Sequence, residues 1–315
     1  MFRYLTNHIV SMLPTLAVVA VVGFMLVHLT PGDPAVFAAG PEASPAVVEQ
    51  IRERMGLNRP LHVQFLAWVR NIIVDGNLGV SIQTGEPVSA ILASRAEPTI
   101  ALALASFLVA LVIGVPLGFL GAVQRGRLGD RLIMAVATFG VSVPRFWLGL
   151  MLMLLFAVTW RWLPVGGYRP FADGIVDALR HLVLPALALG MAEAALIARM
   201  TRTAMLEVMN EDYVRTARSK GLVEQRVLVK HALRTALIPI LTVAGLSLAN
   251  LLGGSVAIEV VFNYPGIGRG LMTAITRRDY PVVQAVVLLV GVIYMIVNLL
   301  IDLAYAGVDP RVRYS

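Results

Sequence analysis

Long apolar stretches recur along the chain and define its organisation. A helix needs about 20 apolar residues to cross the hydrocarbon core of a bilayer. Six stretches meet this requirement and are nearly free of charge, so we expect an all-α membrane protein with six transmembrane helices. They run over Ile9 to Leu29, Thr99 to Ala122, Leu132 to Thr159, Leu182 to Met200, Leu237 to Val261 and Val282 to Tyr305. The first stretch is longer than the apolar region of a cleavable signal peptide, and we interpret it as a span.

The segment between the first two spans is too long for a tight turn and carries two helical patterns. Ser44 precedes a proline and an apolar repeat that stops at Gly56, which predicts a helix with Ser44 as its N-cap. Leu61, Phe65, Trp68 and Ile72 share one face of a second helix, which the turn at 75–77 ends. This segment is either a structural cap or a contact surface for an external partner.

The loop between the fourth and fifth spans, residues 201–236, is long, basic and helical in pattern. Asn210 or Asp212 is a suitable N-cap for a short helix over 213–220, and Gly221 supplies the left-handed residue that ends it. A second helical run over 223–236 leads into the next span. The pattern predicts a short, rigid helix that projects from the membrane, although a solvated loop would have the same composition.

Glycine and proline interrupt the chain after the fifth span. Gly253 and Gly254 loosen the helix end, and the sequence of 264–266 suits a type II turn in which Gly266 adopts positive φ. We expect a folded or re-entrant hairpin here, near the translocation route, with Glu259, Asn263 and Tyr264 as pathway candidates. A phosphate-binding loop is excluded because the preceding strand and the P-loop lysine are missing.

Composition supports the membrane assignment and excludes several chemistries. Hydrophobic residues make up 58% of the 315 and charged residues 14%, whereas soluble domains carry about 25% charged residues. The chain has no cysteine, which excludes disulfides, thiolate metal sites and a cysteine nucleophile.

The net charge of +7 is distributed unequally between the two sides of the predicted membrane domain. The side that holds both termini carries 14 basic and 6 acidic residues, and the opposite side carries 11 of each. Basic residues that flank spans favour the cytoplasm, so we expect both termini to be cytoplasmic. Topology thus explains the basic character, and nucleic-acid binding is not expected.

Ionisable groups inside spans are costly and are candidates for function. Glu193 is a candidate to line a pathway or to pair with a cation, and Arg145 could neutralise it or guide a carboxylate. Asp302 lies near the cytoplasmic end of the last span. His28 and His181 are expected to be interfacial hydrogen-bonding residues, and no metal site is predicted.

Small and cyclic residues within the spans predict local geometry. Pro144, Pro185 and Pro239 are expected to break or begin helices. Gly114 and Gly118 form a small face suited to close helix packing, including across an interface with another membrane subunit.

Motifs spread over nearly the whole chain resemble one family, the integral-membrane permease subunits of dipeptide/oligopeptide-type binding-protein-dependent ABC importers. The matching segments are PGDP at 31–34, MGLNRPL at 55–61, DGNLGVS at 75–81, SVPRFWLG at 142–149, IARMTR at 197–202, DYVRTARSKGL at 212–222, HALRTALIP at 231–239, RRDYP at 277–281 and DPRVR at 309–313.

The resemblance implies the type I ABC importer permease fold. Its divisions here would be an N-terminal tail with span one over 1–30, an external helical segment over 31–98 and a five-span core over 99–315. The loop 201–236 would be the coupling, or EAA, loop that docks a short helix onto a cytoplasmic ATPase. The residues carried over as ATPase-coupling are Tyr213, Arg215, Thr216, Ala217, Lys220, Gly221 and Leu222, with Arg215-Thr216-Ala217 in the place of Glu-Ala-Ala.

The resemblance also implies a division of labour among subunits. This chain lacks ATPase motifs, so no catalytic residue and no bound cofactor is expected on it, and ATP and Mg²⁺ would bind the partner ATPases. The expected partners are a second, homologous permease, two ATPase subunits or domains, an external substrate-binding protein and the lipid bilayer of a prokaryotic inner membrane. The transported substrate would be a peptide or a related compound such as glutathione, a nickel complex or a glycoside.

Two other classes of function fit the sequence less well than the importer does. A secondary transporter or channel would use Arg145, Glu193 and Asp302 as an ion relay, but the interrupted cytoplasmic loop would then have no purpose. An intramembrane enzyme would need a nucleophile such as Ser106 or Ser247 with a base beside it, and no histidine within the spans suits that role.

Overall fold

The computed structural model describes the backbone of residues 2–29, 32–40, 42–253 and 255–308. Within these ranges it describes the side chains of all but residues 2–11, 302 and 305–308. Pro31, Gly254, the Asp302 side chain and the motif at 309–313 therefore lie outside the described part of the chain.

The described residues form helices joined by turns and loops, as the apolar pattern predicted. In chain order they are α1 Phe2–Leu29, α2 Pro34–Ala39, α3 Pro45–Arg54, α4 Leu61–Ile73, α5 Val88–Val123, α6 Leu128–Ser142, α7 Arg145–Leu152, α8 Ile175–Val208, α9 Asp212–Ser219, α10 Glu224–Arg226, α11 Arg234–Gly253, α12 Val256–Val261, α13 Ile267–Thr276 and α14 Tyr280–Val308. A π-helix, Met153–Thr159, extends α7, and a second, Val227–Leu233, joins α10 to α11.

Five of the described helices are long and apolar enough to span a membrane, and a bent pair brings the number to six. The bent pair is the predicted third span. It consists of α6 and the α7 segment, which meet at an angle of 102°. Val143 has extended backbone angles before Pro144, because proline disfavours helical geometry in the residue that precedes it. The expectation that Pro144 breaks or begins a helix is therefore confirmed, and the apolar stretch over 132–159 forms two helices rather than one.

The other prolines do not behave as expected. Pro185 lies inside the continuous helix α8 and Pro239 inside α11, so neither one breaks or begins a helix. The fifth predicted span is also shorter than expected, since α11 ends at Gly253 and a separate short helix, α12, begins at Val256.

The chain divides into two compact units. The first consists of Met1–Glu97 and Gly266–Met295, and the second of Pro98–Pro265 and Ile296–Ser315. In the first unit, the start of α5 packs with α13 and α14 around Val88, Leu92, Ile267, Ala274, Val282, Ala285 and Val286. Helix α4 packs against α1 through the rings of Phe65, Trp68 and Phe24.

The predicted helices of the segment between the first two spans are present in this first unit. Helix α3 begins at Pro45 with Ser44 in the N-cap position, although the Ser44 side chain makes no capping hydrogen bond. Gly56 follows α3 with φ +68°. Helix α4 covers the second predicted pattern and is followed by Gly76 with φ +60°.

Helix α8 is the centre of the second unit and packs against α6, α7 and α11. In the most apolar 18-residue stretch of α8, 67% is buried, compared with 28% in the corresponding stretch of α5. Glycines allow α5 and α8 to approach closely. A Cβ at Gly114 would lie 2.7 Å from the Ala194 carbonyl oxygen, and one at Gly190 would lie 2.6 Å from the Ser106 carbonyl oxygen. The small face of α5 thus packs against a helix of the same chain.

Candidate functional site

The segment predicted to couple to an ATPase contains a short helix between two long ones. Helix α9 covers Asp212–Ser219, and Gly221 follows with φ +75°, the left-handed conformation that the sequence predicted. The Gly221 N–H donates to the Arg218 carbonyl over 2.9 Å. The N-cap prediction was wrong, because Glu211 occupies that position and its side chain makes no capping hydrogen bond. Asn210 instead donates to the Leu206 carbonyl over 2.8 Å.

Helix α9 is held against the rest of the second unit by one apolar side. Val214 and Val227 are fully buried, and Ala217 is 8% exposed. These three residues form a small core with the half-buried Val208 and Leu222 packed against it. This packing fixes the orientation of α9 relative to the π-helix that leads into α11.

Two polar contacts add to this packing. The Tyr213 hydroxyl donates to Thr235 Oγ1 over 3.0 Å, which ties α9 to the first turn of α11. Arg218 pairs with Glu224 at 2.8 Å, and this hydrogen-bonded carboxylate raises the pKa of the Arg218 guanidinium. The segment is therefore a folded element with defined contacts at both ends of the short helix.

The residues predicted for coupling fall on two sides of this element. Tyr213, Arg215, Thr216, Lys220 and Gly221 are exposed. Ala217 is buried and Leu222 half-buried, so these two residues support the helix from inside. The exposed set forms a surface with two cations, a hydroxyl and an aromatic ring.

Arg145 and Glu193 form an ion pair inside the second unit. Arg145 is the first residue of α7, directly after the bend at Pro144, and its Nη2 lies 2.7 Å from Glu193 Oε1. The Glu193 side chain is 2% exposed and that of Arg145 is 38% exposed. Glu193 Oε2 is buried and has no hydrogen-bond partner among the described residues. The pair therefore joins one partly exposed cation to one buried anion that has a free acceptor atom.

The other pathway candidates have different surroundings. Glu259 and Tyr264 are fully buried. Glu259 Oε1 accepts a 2.5 Å hydrogen bond from Ser255, and the Tyr264 ring lies 5.2 Å from the Tyr168 ring at a steep angle. Asn263, in contrast, is exposed, with φ +51°. Glu259 and Tyr264 are thus packed inside the second unit, and of these three candidates Asn263 is the exposed one.

The predicted type II turn at 264–266 is not formed. Gly266 has φ −83° and ψ 176° and serves as the N-cap of α13. The left-handed residue is Asn263 instead, one of the few residue types besides glycine that adopt this conformation readily.

A second ion pair in the same unit is not predicted by the sequence pattern. Asp130 is 4% exposed and accepts two hydrogen bonds from Arg202, of 2.6 and 2.7 Å. It also accepts one from the Gly126 N–H over 2.9 Å. The partners are 72 residues apart, and both belong to loops in the sequence pattern, so no periodicity connects them.

The remaining candidates have structural contacts. The His181 ring Nδ1 lies 2.8 Å from the Asp177 carbonyl oxygen, and the His28 ring packs on that of Phe24. Ser106 donates to the Leu102 carbonyl over 2.7 Å. In the part of the chain that the structure describes, no three acidic, histidine or cysteine side chains are grouped to hold a metal ion.

The chain matches two family models that together cover most of its length. Residues 114–314 match the inner membrane component of binding-protein-dependent transport systems, and residues 1–103 match the N-terminal region of such membrane components. The chain belongs to this family. It is an inner-membrane permease component, and because the ATPase of these systems is a separate subunit, the chain is not itself an enzyme.

Individual relatives agree over the full length. The chain is 45% identical to a probable peptide ABC transporter permease protein, y4tP, of Sinorhizobium fredii, with 99% of each chain covered. It is 44% identical to the glutathione transport system permease protein GsiC of Salmonella paratyphi A and 43% identical to that of Escherichia coli K12, with all of each chain covered.

Solved structures support the fold. The inward-facing MetNI methionine ABC transporter, in its native crystal form, matches with a TM-score of 0.58 at 22% identity. The match covers 70% of this chain and 97% of that one. The prediction of a type I ABC importer permease fold is confirmed.

Proposed function

We propose that this chain forms half of the translocation pathway of an ATP-driven importer of short peptides. The observation that carries the proposal is the folded coupling segment, α9 with Gly221, which presents an exposed surface while its other side is packed into the permease. A domain that only had to cross the membrane would need no such element.

The exposed surface of α9 is the proposed docking site for a cytoplasmic ATPase. Tyr213, Arg215, Thr216, Lys220 and Gly221 contact the ATPase in this proposal, whereas Ala217 and Leu222 support the helix from inside. Because α9 is packed and hydrogen-bonded to the start of α11, a displacement of the docked ATPase would move the spans as a rigid body. ATP and Mg²⁺ bind the ATPase and not this chain.

The membrane orientation follows from charge. The loops on the side of α9 carry 14 of the 26 basic residues and only 6 of the 19 acidic ones. The positive-inside rule therefore supports an arrangement in which both termini and α9 are cytoplasmic. This orientation also places α9 where ATP is available.

A second, homologous permease is the proposed partner within the membrane. The helices α6 and α7 expose large apolar side chains, among them Leu132, Val136, Phe139, Phe146 and Trp147. Such a surface is satisfied by lipid or by another apolar helix. The outer partner is a substrate-binding protein, as the description of the family implies.

The Arg145 and Glu193 pair is the proposed polar element of the pathway. A buried carboxylate within a span is expensive unless a cation compensates it. Since Arg145 is accessible and follows directly after the bend at Pro144, it is positioned to exchange the Glu193 carboxylate for the carboxylate of a passing peptide. Asn263 is the accessible candidate of the loop after α12.

The peptide class is proposed from the relatives, of which one is described as a peptide permease and others as glutathione permeases. Glutathione is itself a tripeptide, so both descriptions share a compound with free amino and carboxylate groups.

The test is a reconstitution. The tagged chain is purified from its native membrane, the co-purifying subunits are identified by mass spectrometry, and the complex is placed in liposomes with its binding protein. We expect a second permease and two ATPase subunits or domains, and uptake of labelled dipeptide or glutathione with ATP but not with a non-hydrolysable analogue. A chain that is isolated alone and transports without ATP would refute the proposal.

A further inference from the structure

The first unit contains a cavity that the transport cycle described above does not use. It has a volume of about 340 Å³ and lies among the end of α1, the turn between α3 and α4, helix α4 and the first turn of α14. Small-molecule sites usually have volumes of about 300–1,000 Å³. The cavity is therefore large enough for a ligand of the size of a short peptide.

The walls of the cavity are fixed by packing and hydrogen bonds. On one side the Phe24 and Trp68 rings lie 5.9 Å apart and join α1 to α4. On another side the Gln64 amide donates to the Leu57 carbonyl over 3.1 Å and to the Arg59 carbonyl over 2.7 Å. The turn over 57–59 is thus held to α4, and the cavity has a preformed shape.

One buried hydroxyl in the lining has no hydrogen-bond partner among the described residues. It belongs to Tyr280, which lines the cavity and is 6% exposed. A buried hydroxyl normally has a partner, because losing its hydration is unfavourable. Gln284, 9% exposed, lies one turn further along α14 and adds an amide to the same wall.

Three charged side chains line the cavity and are available to bind a ligand. Glu53, Arg54 and Arg59 are exposed, and none of them has an ion-pair partner within the described residues. The neighbouring Arg52 differs, since it is paired with both Asp33 and Glu49. Two free guanidinium groups beside one free carboxylate match a ligand that carries both an anionic and a cationic group.

We propose that this cavity binds the zwitterionic backbone of a short peptide. Arg54 and Arg59 bind its carboxylate, as guanidinium groups do with bidentate geometry. Glu53 and the face of Trp68 receive its ammonium group, and Tyr280 and Gln284 hydrogen-bond to its amides. The peptide assignment rests on the proposed function and on the orientation that places this end of α1 outside the membrane.

The test measures equilibrium binding of radiolabelled Ala-Ala to the full chain in nanodiscs, together with the subunits that co-purify with it and without binding protein. The variants are Arg54→Gln/Arg59→Gln and Tyr280→Phe. Arg70→Gln is the matched control, because Arg70 is an exposed arginine of α4 that does not line the cavity. Ala-Ala amide, which has no carboxylate, is the control ligand.

We expect saturable binding to the wild-type chain and to Arg70→Gln. The double arginine variant should weaken binding by about tenfold or more, the loss expected for one charge-assisted hydrogen bond. Tyr280→Phe should weaken Ala-Ala binding less than the double arginine variant does. Ala-Ala amide should bind the wild-type chain about as weakly as Ala-Ala binds the double arginine variant.

Equal affinity in the wild type and the double arginine variant would overturn the inference. So would the absence of Ala-Ala binding together with arginine-dependent binding of a short-chain phosphatidylethanolamine, which would assign the cavity to a lipid headgroup. Neither outcome affects the proposed function, whose failure would show separately as uptake that does not require ATP.

Discussion

Arg145 and Glu193 meet at 2.7 Å although they belong to different helices. Arg145 follows directly after a sharp bend, and Glu193 lies in the most buried of the described spans. The contact joins the bent third span to α8. The arginine is accessible and the glutamate is not, so the two groups differ in what their removal should do.

Removing the arginine should cost more stability than removing the charge of the glutamate. Arg145→Met leaves a buried carboxylate without a cation, and loss of one partner of a buried pair costs about 3 kcal/mol or more. Glu193→Gln retains a hydrogen-bonding side chain beside Arg145, which is 38% exposed, and leaves no fully buried charge without a partner, so it should cost less. The measurement is the thermal unfolding midpoint in detergent.

The double variant provides the control for this prediction. Arg145→Met/Glu193→Gln removes both charges and should recover part of the stability lost in Arg145→Met alone. All three variants should lower peptide uptake if the pair belongs to the pathway. Additive losses of stability in the double variant would show that the two groups do not interact.

The sequence predicted those helices for which the apolar periodicity and the residues at the helix ends indicate the same bounds. Helices α3, α4 and α9 begin and end close to the predicted residues, and Gly221 adopts the left-handed conformation that its position required. In each case the determining interactions lie within one or two turns of the chain.

The features that the sequence did not predict have two origins. Some depend on contacts between residues far apart in the chain, and others depend on whether a helix tolerates the proline inside it. The sequence predicts an interruption at all three prolines, yet the chain bends at Pro144 while Pro185 and Pro239 stand in equally apolar sequence and leave their helices intact. The contact of Asp130 with Arg202 and that of Ser81 with Asp279 join residues 72 and 198 positions apart. Only the folded chain brings these groups together.

The close approach of α5 and α8 should not tolerate a larger residue at Gly190. A Cβ there would lie 2.6 Å from the Ser106 carbonyl oxygen and 2.7 Å from Val109 Cβ. Gly190→Ala should therefore destabilise the second unit by about 1–3 kcal/mol through overpacking. Gly140→Ala is the control, since its Cβ would lie 3.4 Å from Ala195 Cβ. Thermal unfolding of the two variants in detergent should separate them, and equal midpoints would contradict the observed packing.

The contact of Asp33 with Arg52 should make the start of α2 depend on pH. The hydrogen bond from Arg52 lowers the pKa of the Asp33 carboxyl below its usual value. A lowered pKa in the folded state means that the ionised form stabilises the fold above the unfolded pKa of about 3.9. This stabilisation is lost as the pH falls through the folded pKa.

Hydrogen exchange of the backbone amides of residues 35–39 measures this effect. In the wild type, Asp33 Oδ1 accepts a 2.9 Å hydrogen bond from the Ala35 N–H. Asp33→Asn keeps an acceptor for this N–H and removes only the charge. At pH 7 the variant should show lower protection factors than the wild type, and the difference should disappear in strong acid. Glu42→Gln is the control on the neighbouring loop and should not change the protection at either pH. A difference between Asp33→Asn and the wild type that persists in strong acid would contradict the role of the ionised carboxylate.

Gly221→Pro should separate ATP hydrolysis from transport. Proline holds φ near −65° and has no N–H, whereas Gly221 has φ +75° and donates to the Arg218 carbonyl. The substitution should therefore redirect the end of α9 without affecting the apolar spans. In the reconstituted complex we expect normal insertion and basal ATPase activity, loss of stimulation by substrate, and uptake lowered by about 5-fold to 150-fold, the range of a typical coupling free energy.

Gly85→Pro is the matched control, because Gly85 has φ +72°, donates to the Ser81 carbonyl and has open space around it, as Gly221 has. It changes the backbone in the same way but lies in the first unit, far along the chain from α9, so uptake should be retained. Substrate-stimulated ATPase activity at the wild-type level in Gly221→Pro, or equal loss of uptake in Gly85→Pro, would contradict a coupling role for α9.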